Sequence, residues 1–176
     1  DLVTRLSNLA LLLYGWFVLH GHARHEQDEK ELKVFVKNYL PADVNKVNGF
    51  YEKLYLYQSY CWYAFIRQDF LMYYRYSQKW IDLFEEQPVM KEVETGHYIK
   101  GVHTLLNAFF DLRYFEKFET VLKKFEQFQK TPVAQRHDNF RTHTSIYINS
   151  ARINLHLMKG TFAEGLSLVP SIEKKL

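Results

Sequence analysis

Glycine and proline are scarce in this chain, with 7 glycines and 4 prolines among 176 residues. Sandwiches and barrels of many β-strands need frequent turns, and turns draw heavily on these two residues. No stretch of alternating apolar and polar residues is long enough to support a sheet. The scarcity therefore argues against a turn-rich all-β protein and predicts an all-α fold of long helices.

Cysteine is nearly absent as well, since Cys61 is the only one. A single cysteine cannot form an internal disulfide, and nothing indicates an oxidising compartment, so we expect a cytoplasmic protein. An excess of one charge is also missing, because 23 lysines and arginines face 20 aspartates and glutamates, a formal net charge of +3. Dedicated nucleic-acid-binding domains carry a clearer basic excess.

No hydrophobic run is long enough to predict a membrane span. Residues 6–19 carry no charge, but a spanning helix needs about 20 apolar residues, and the basic leader of a signal peptide is missing. We predict a buried first helix and no membrane partner. Because this helix is apolar nearly all round, the face around Leu12, Phe17 and Leu19 is expected to lack a neighbour and to favour homo-oligomers. The chain begins at Asp1 rather than methionine, so we expect a piece of a longer protein.

What the chain has is a repeat marked by proline. Pro41, Pro88 and Pro132 lie 47 and 44 residues apart, and each follows an amphipathic stretch with helical spacing. Proline is common just past a helix end because it cannot continue the helix. The spacing predicts successive units that each contain a pair of helices.

Aromatic residues give a second marker of the same period. Phe70, Phe115 and Phe162 lie 45 and 47 residues apart, and each follows a predicted helix break. The predicted helices span residues 2–19, 27–38, 44–67, 70–87, 90–112, 115–129, 134–159 and 162–175. They form one helical-repeat domain over residues 1–176, with units of roughly 1–42, 43–89, 90–133 and 134–176.

The turn between the last two predicted helices has a recognisable form. Residues 159–166 read Lys-Gly-Thr-Phe-Ala-Glu-Gly-Leu. Gly160 suits the left-handed residue that ends a helix, and Thr161 with Glu164 forms a capping box that starts the next. This stretch resembles the Gly-x-aromatic-x-x-small turn of tetratricopeptide-like repeats, here in longer units of about 46 residues. The resemblance implies an α-solenoid, a right-handed superhelix of about four antiparallel helix pairs. An irregular helical bundle is the alternative fold.

Aromatic side chains are concentrated in one region, since residues 50–84 contain 14 of them. They could fill wide gaps between helices. Alternatively, part of them lines a groove, because tyrosine keeps a hydroxyl that prefers water or a partner.

The repeat resemblance implies a concave face, and the tyrosine excess suggests what lines it. Tyr51, Tyr55 and Tyr74 are the candidate binding residues, and Asn107 and Arg113 could add polar contacts to a peptide backbone or an acidic side chain. These features together favour a non-catalytic scaffold that binds a protein or peptide.

Two other functions stay open as alternatives. Arg67, Arg75, Lys79 and Arg113 lie among aromatics that could stack on bases, but acidic residues are interspersed with them, so nucleic acid is the less favoured partner.

A metal-dependent enzyme would need ligands such as His20, His22 and His25, whose H-x-H-x-x-H spacing could chelate, although it also fits a solvated helix end. His97 with His103, and His137 with His143, are six residues apart and do not match the i,i+4 spacing of a helical metal motif. No phosphate-binding loop or nucleophile motif occurs, so we expect no catalytic residues and no cofactor.

Overall fold

The computed structural model describes residues 1–160, 169, 170 and 174, and these residues form helices joined by short turns, with no strand among them. The predicted all-α class is therefore confirmed. The helices are α1 (Leu2–His20), α2 (Glu26–Lys37), α3 (Phe50–Arg67), α4 (Phe70–Glu86), α5 (Met90–Val93), α6 (Thr95–Leu112), α7 (Phe115–Gln129), α8 (Pro132–Gln135) and α9 (Asp138–Lys159).

The bounds of α1, α2, α4 and α7 differ from the predicted ones by at most one residue at each end. Three longer predicted helices are instead interrupted near their starts. Gly49 adopts an extended backbone ahead of α3, and Glu52 Oε2 accepts from its N–H at 3.4 Å, which caps the helix there. Two other residues also leave the helical conformation: Glu94 before α6, with φ −120° and ψ 50°, and His137 before α9, with an extended backbone. The apolar spacing alone does not reveal these breaks.

Left-handed residues end three of the helices. Gln68, Arg113 and Gly160 have φ angles of 57°, 61° and 73° and follow α3, α6 and α9. The left-handed conformation predicted for Gly160 is confirmed. These residues recur 45 and 47 residues apart, two positions ahead of the phenylalanines that mark the repeat. The predicted helix over 162–175, its aromatic Phe162 and the Thr161–Glu164 capping box lie outside the described residues.

The chain divides into two compact units, Asp1–Leu83 and Phe84–Leu176. In the first unit α1 lies along α3, and residue numbers rise in the same direction along both helices from one contact to the next. The Ser59 hydroxyl donates to Leu6 O at 3.3 Å, and farther along the ring of Phe17 meets that of Phe65 at 5.1 Å. A buried cluster that draws on α1, α2 and α3 fills the space between them, and it consists of Leu9, Leu13, Leu32, Val36 and Ile66.

The first helix is buried along one face only. Its buried residues are Leu6, Leu9, Ala10 and Leu13, whereas Leu12 and Leu19 remain exposed. The expectation that Phe17 lacks a neighbour is wrong, because its ring packs against His22, Trp62 and Phe65.

By length and composition, α1 could also cross a membrane, with a mean hydropathy of 1.5 over a window that is 17% buried. Core helices of soluble proteins, which are mostly buried, and signal sequences also meet the criteria of length and composition, so the expected absence of a membrane partner stays a prediction.

The second unit is built from α6, α7 and α9 with two short helices. Salt bridges join α7 to α9: Glu119 pairs with Lys159 at 3.3 Å and Glu126 with Arg152 at 3.4 Å. As the residue numbers rise along α7, those of the α9 partners fall. The buried side chains Phe118, Leu122 and Phe125 form the apolar face of α7.

Candidate functional site

The three candidate tyrosines all lie in the first unit. Tyr51 is exposed near the start of α3, and its ring meets that of Phe50 edge-on at 5.4 Å. Tyr55 is half-buried and packs on the cluster of Leu6, Val47 and Leu56. Tyr74 is half-buried on α4. Tyr55 thus contributes to packing, while a binding role for all three stays a prediction.

Other tyrosines of this region fill the space between α3 and α4. The ring of Tyr76 lies 4.4 Å from that of Tyr60 and 6.2 Å from that of Tyr57. Burial, with smaller contributions from Tyr76 and Tyr63, raises the pKa of Tyr60 to about 12. These side chains fit the packing interpretation of the aromatic excess.

Asn107 belongs to a half-buried polar cluster in the second unit. Its Nδ2 lies 3.3 Å from Nε2 of His103, one helical turn earlier on α6. The His103 ring stacks on Tyr147 of α9, with centroids 3.9 Å apart and planes only 8° apart. The exposed His143 lies nearly parallel to the same tyrosine at 6.0 Å. We call His103, Asn107, His143 and Tyr147 the polar seam.

The register between α6 and α9 creates this cluster. A Cβ on Gly96 would lie 3.6 Å from the Phe140 ring, so positions 44 residues apart are neighbours there. His103 and Tyr147 are also 44 residues apart. Spacing within single helices could not reveal this contact. The signal that could have found it is the repeat itself, because the same interval separates Pro88 from Pro132.

The surroundings keep His103 and Tyr147 of the seam uncharged at neutral pH. Burial, assisted by the positive charge of Lys100, lowers the pKa of His103 to about 4. Burial also raises the pKa of Tyr147, so its hydroxyl stays protonated. With the Asn107 amide donating to Nε2, the proton of the neutral His103 ring sits on Nδ1. The seam therefore presents an imidazole N–H, a phenol and stacked ring faces held on two helices.

Lys100 adds a cation beside the seam. It lies one turn before His103 on α6, and although its side chain is exposed, desolvation lowers its pKa. Within the described residues, no ion pair joins it to an acidic side chain. Its positive charge is thus available to a partner at the edge of the seam.

Arg113 lies nearly two turns beyond Asn107, at the C-cap of α6. Its Nη1 donates to Phe110 O at 2.6 Å, and its guanidinium lies 4.8 Å from the centroid of the Phe110 ring. A cavity of about 280 Å³ is lined by Phe110, Arg113, Phe115, Leu157 and Met158. Asn107 and Arg113 are therefore on one helix of the second unit. Their binding role stays a prediction.

The histidines near the end of α1 have separate surroundings. His22 lies with its Nδ1 3.0 Å from Phe65 O, at the end of α3, whereas His20 packs on Trp16 at 4.8 Å. His25 occupies the N-cap position of α2. Across the described part of the chain, no group of three or more His, Cys, Asp or Glu side chains is placed to hold a metal ion.

The second unit thus offers a polar, ring-lined seam with a neighbouring cation and a cavity one turn away. No protein-family model matches this chain, and neither a curated protein nor a solved structure matches it.

Proposed function

We propose that the chain is a non-catalytic helical-repeat scaffold that binds a protein or peptide segment at the polar seam. The observation that carries this proposal is the stack of His103 on Tyr147, with Asn107 bonded to the imidazole. Polar side chains brought together from two helices and left half-buried offer contacts that a core does not need. The proposed setting is cytoplasmic.

The chemistry of the seam suits an extended polypeptide. A peptide backbone presents a donor and an acceptor at nearly every residue. The Asn107 amide and the Tyr147 hydroxyl can each serve as donor and acceptor, and the His103 Nδ1–H can donate. The rings are already stacked, so little side-chain freedom is lost on binding, which favours affinity.

The repeat geometry supports the finer fold proposal, a solenoid of antiparallel helix pairs. Left-handed caps recur at Gln68, Arg113 and Gly160. Residue numbers rise along α7 while those of its partners on α9 fall, which is the contact pattern of neighbouring antiparallel helices. Contacts between α6 and α9 instead join residues 44 positions apart, which is the pattern expected of equivalent helices in successive sequence repeats. Such stacks expose extended binding surfaces.

A nucleic-acid partner is the weaker alternative. Arg67 lies over the Tyr63 ring at 4.9 Å, with Asp69 at 4.0 Å, and Arg113 is bonded to a backbone carbonyl. Cations engaged in this way contribute less to a phosphate-binding track, and the net charge is only +3.

A random-peptide library displayed on phage and selected on the immobilised full chain tests the proposal. Peptides that emerge are synthesised and titrated calorimetrically against wild type, Asn107→Ala and Tyr147→Ala. Because both side chains are proposed to touch the peptide, each substitution should weaken binding about tenfold or more. Lys124→Ala, at an exposed position of α7, is the matched control and should bind like wild type.

Two outcomes would contradict the peptide-binding scaffold. One is that no peptide is enriched over the bare support. The other is that the seam variants bind the selected peptides as well as the Lys124→Ala control does. Salt-sensitive binding of random single-stranded RNA that is lost in Tyr147→Ala would favour the nucleic-acid alternative instead.

A further inference from the structure

The first two helices leave an apolar groove between them. The groove has a volume of about 460 Å³ and is lined by Trp16 of α1, by Val34 and Phe35 of α2, and by polar side chains of α2. Val34 is 61% exposed although it lines this groove. An apolar depression of this kind in a compact unit is open to an apolar side chain from another molecule.

Projecting leucines stand beside the groove on the same side of α1. Leu12 and Leu19 lie four residues before and three residues after Trp16, and residues at these spacings share a helix face. They are 41% and 79% exposed. Gly15 lies between them, and a Cβ there would meet nothing within 4 Å. One surface therefore carries both a projection and a depression, which is the self-complementarity that a twofold interface requires.

The charges at the groove are self-complementary too. Lys30 and Glu31 both line it, at adjacent positions of α2. Lys30 is held by Glu26 at 3.0 Å, and Glu31 accepts from Gln27 at 3.0 Å, so both are positioned on the helix surface. When two copies face each other across a twofold axis, Lys30 of each can approach Glu31 of the other. A partner that carried only positive or only negative charges would instead meet a like charge at this surface, from Lys30 or from Glu31.

We propose that this surface is the interface with a second copy of the chain, in which Leu19 of each copy enters the groove of the other. The dimer surface consists of Leu12, Trp16, Leu19, Val34 and Phe35, with Lys30 and Glu31 at its edge. It lies wholly within the first unit, so it stands independently of the peptide-binding seam.

Sedimentation velocity on the full chain tests the interface. Wild type should show a dimer whose fraction rises with protein concentration. The double variant Leu12→Gln, Leu19→Gln should weaken self-association about tenfold or more, since it places amides where two apolar side chains become buried. The matched control is Leu11→Gln with Val18→Gln, two positions that are 67% and 63% exposed on a different side of α1. The control should keep the dimer, and circular dichroism should show native helix content in both.

A charge exchange tests the proposed orientation. Lys30→Glu and Glu31→Lys should each weaken self-association several-fold, because like charges then face each other. Mixing the two variants should restore dimers as a heterodimer, in which two negative side chains of one copy face two positive ones of the other. A merely structural role for either residue gives no such recovery.

Three results would overturn the proposal. The first is a wild-type monomer at every concentration up to the millimolar range. The second is equal loss of dimer in the control pair, which would place the contact on another side of α1. The third is a monomer that floats with vesicles of phosphatidylcholine and phosphatidylserine and loses this binding in Leu12→Gln, Leu19→Gln but not in the control pair, which would identify the surface as a lipid contact.

Discussion

Each of the two units places two long helices side by side, α1 with α3 in the first and α6 with α9 in the second, but the side chains at these two contacts differ in chemistry. In the first unit, Tyr14 meets Trp62 and Phe17 meets Phe65, with ring centroids 5.4 and 5.1 Å apart. Both pairs are 48 residues apart in the chain. In the second unit, the corresponding contact is the polar seam, where partners are 44 residues apart. We call the α1–α3 contact the apolar seam.

The difference separates stability from recognition. Aromatic rings in the apolar seam bury carbon surface, which stabilises the unit directly. The His103 imidazole and the Tyr147 hydroxyl gain less from burial, because desolvating a polar group offsets much of the hydrophobic gain. A half-buried polar seam therefore contributes less to folding than an apolar one of similar size, and its side chains remain available for a partner.

The largest expected effect comes from a fully packed ring in the first unit. Trp80 is only 2% exposed. Trp80→Ala should destabilise the protein by about 3–5 kcal/mol, since truncation leaves a cavity that the neighbours cannot close. Chemical unfolding followed by circular dichroism measures the loss. A loss below about 1 kcal/mol would show that burial of large rings does not dominate the stability of this unit.

A direct comparison of the seams comes next. Phe65 touches Phe17, His22 and Trp62, so Phe65→Ala should cost about 2–3 kcal/mol. Tyr147→Ala removes a half-buried ring from the polar seam and should cost only about 1 kcal/mol of stability, while weakening peptide binding about tenfold or more. Unfolding experiments on both variants test the ranking. Equal losses in the free energy of unfolding would show that the polar seam contributes as much to stability as the apolar seam does.

The sequence revealed the helices better than their contacts. The apolar period and the proline positions predicted α7 to the residue, because a helix face must repeat every three to four residues. The breaks ahead of α3, α6 and α9 were missed, since capping at residues such as Gly49 interrupts a helix without interrupting its apolar period. Only the 44-residue interval between Pro88 and Pro132 indicated which residues of α6 and α9 lie beside each other.

The candidate site was anticipated only in part, for the same reason. Asn107 was selected as a polar residue on a predicted helix, and it does lie in a polar cluster. Its neighbours His103 and Tyr147 were not paired, because their contact joins two helices 44 residues apart. Tyr55 was selected from the aromatic excess, yet it packs on an apolar cluster. Composition counts rings but does not show which of them face inward.

Acidification should affect the polar seam. The pKa of His103 is lowered from 6.5 to about 4, chiefly by burial and secondarily by Lys100. The unfolded chain therefore binds a proton first as the pH falls, and stability declines between about pH 6.5 and 4, by about 1–3 kcal/mol in total, and not further below. His103→Gln cannot take up this proton, so its stability should vary less over that range.

The comparison is made by urea unfolding of wild type and His103→Gln at several pH values. Other titrating groups are common to both proteins, so the difference between the two curves isolates His103. Lys100→Met should narrow the pH range over which stability declines, because removing the cation raises the pKa of His103. Parallel curves for wild type and His103→Gln would show that the imidazole is not buried as the α6–α9 register requires.

The smallest expected effect distinguishes the two left-handed caps that are not glycine. Gln68 and Arg113 hold φ angles of 57° and 61°, which glycine adopts without the strain of a Cβ. Gln68 is exposed, so Gln68→Gly should stabilise the protein by about 0.5–1 kcal/mol. Arg113→Gly relieves the same strain but loses the bond to Phe110 O and the contact with the Phe110 ring, each worth about 0.5–1 kcal/mol, so its net effect should lie between neutral and about 1 kcal/mol destabilising. Thermal unfolding of the two variants beside wild type measures the contrast. An equal gain in stability in both variants would mean that the contacts of the Arg113 side chain do not stabilise the protein. Arg113 would then not be held in place as the one charged residue lining the cavity.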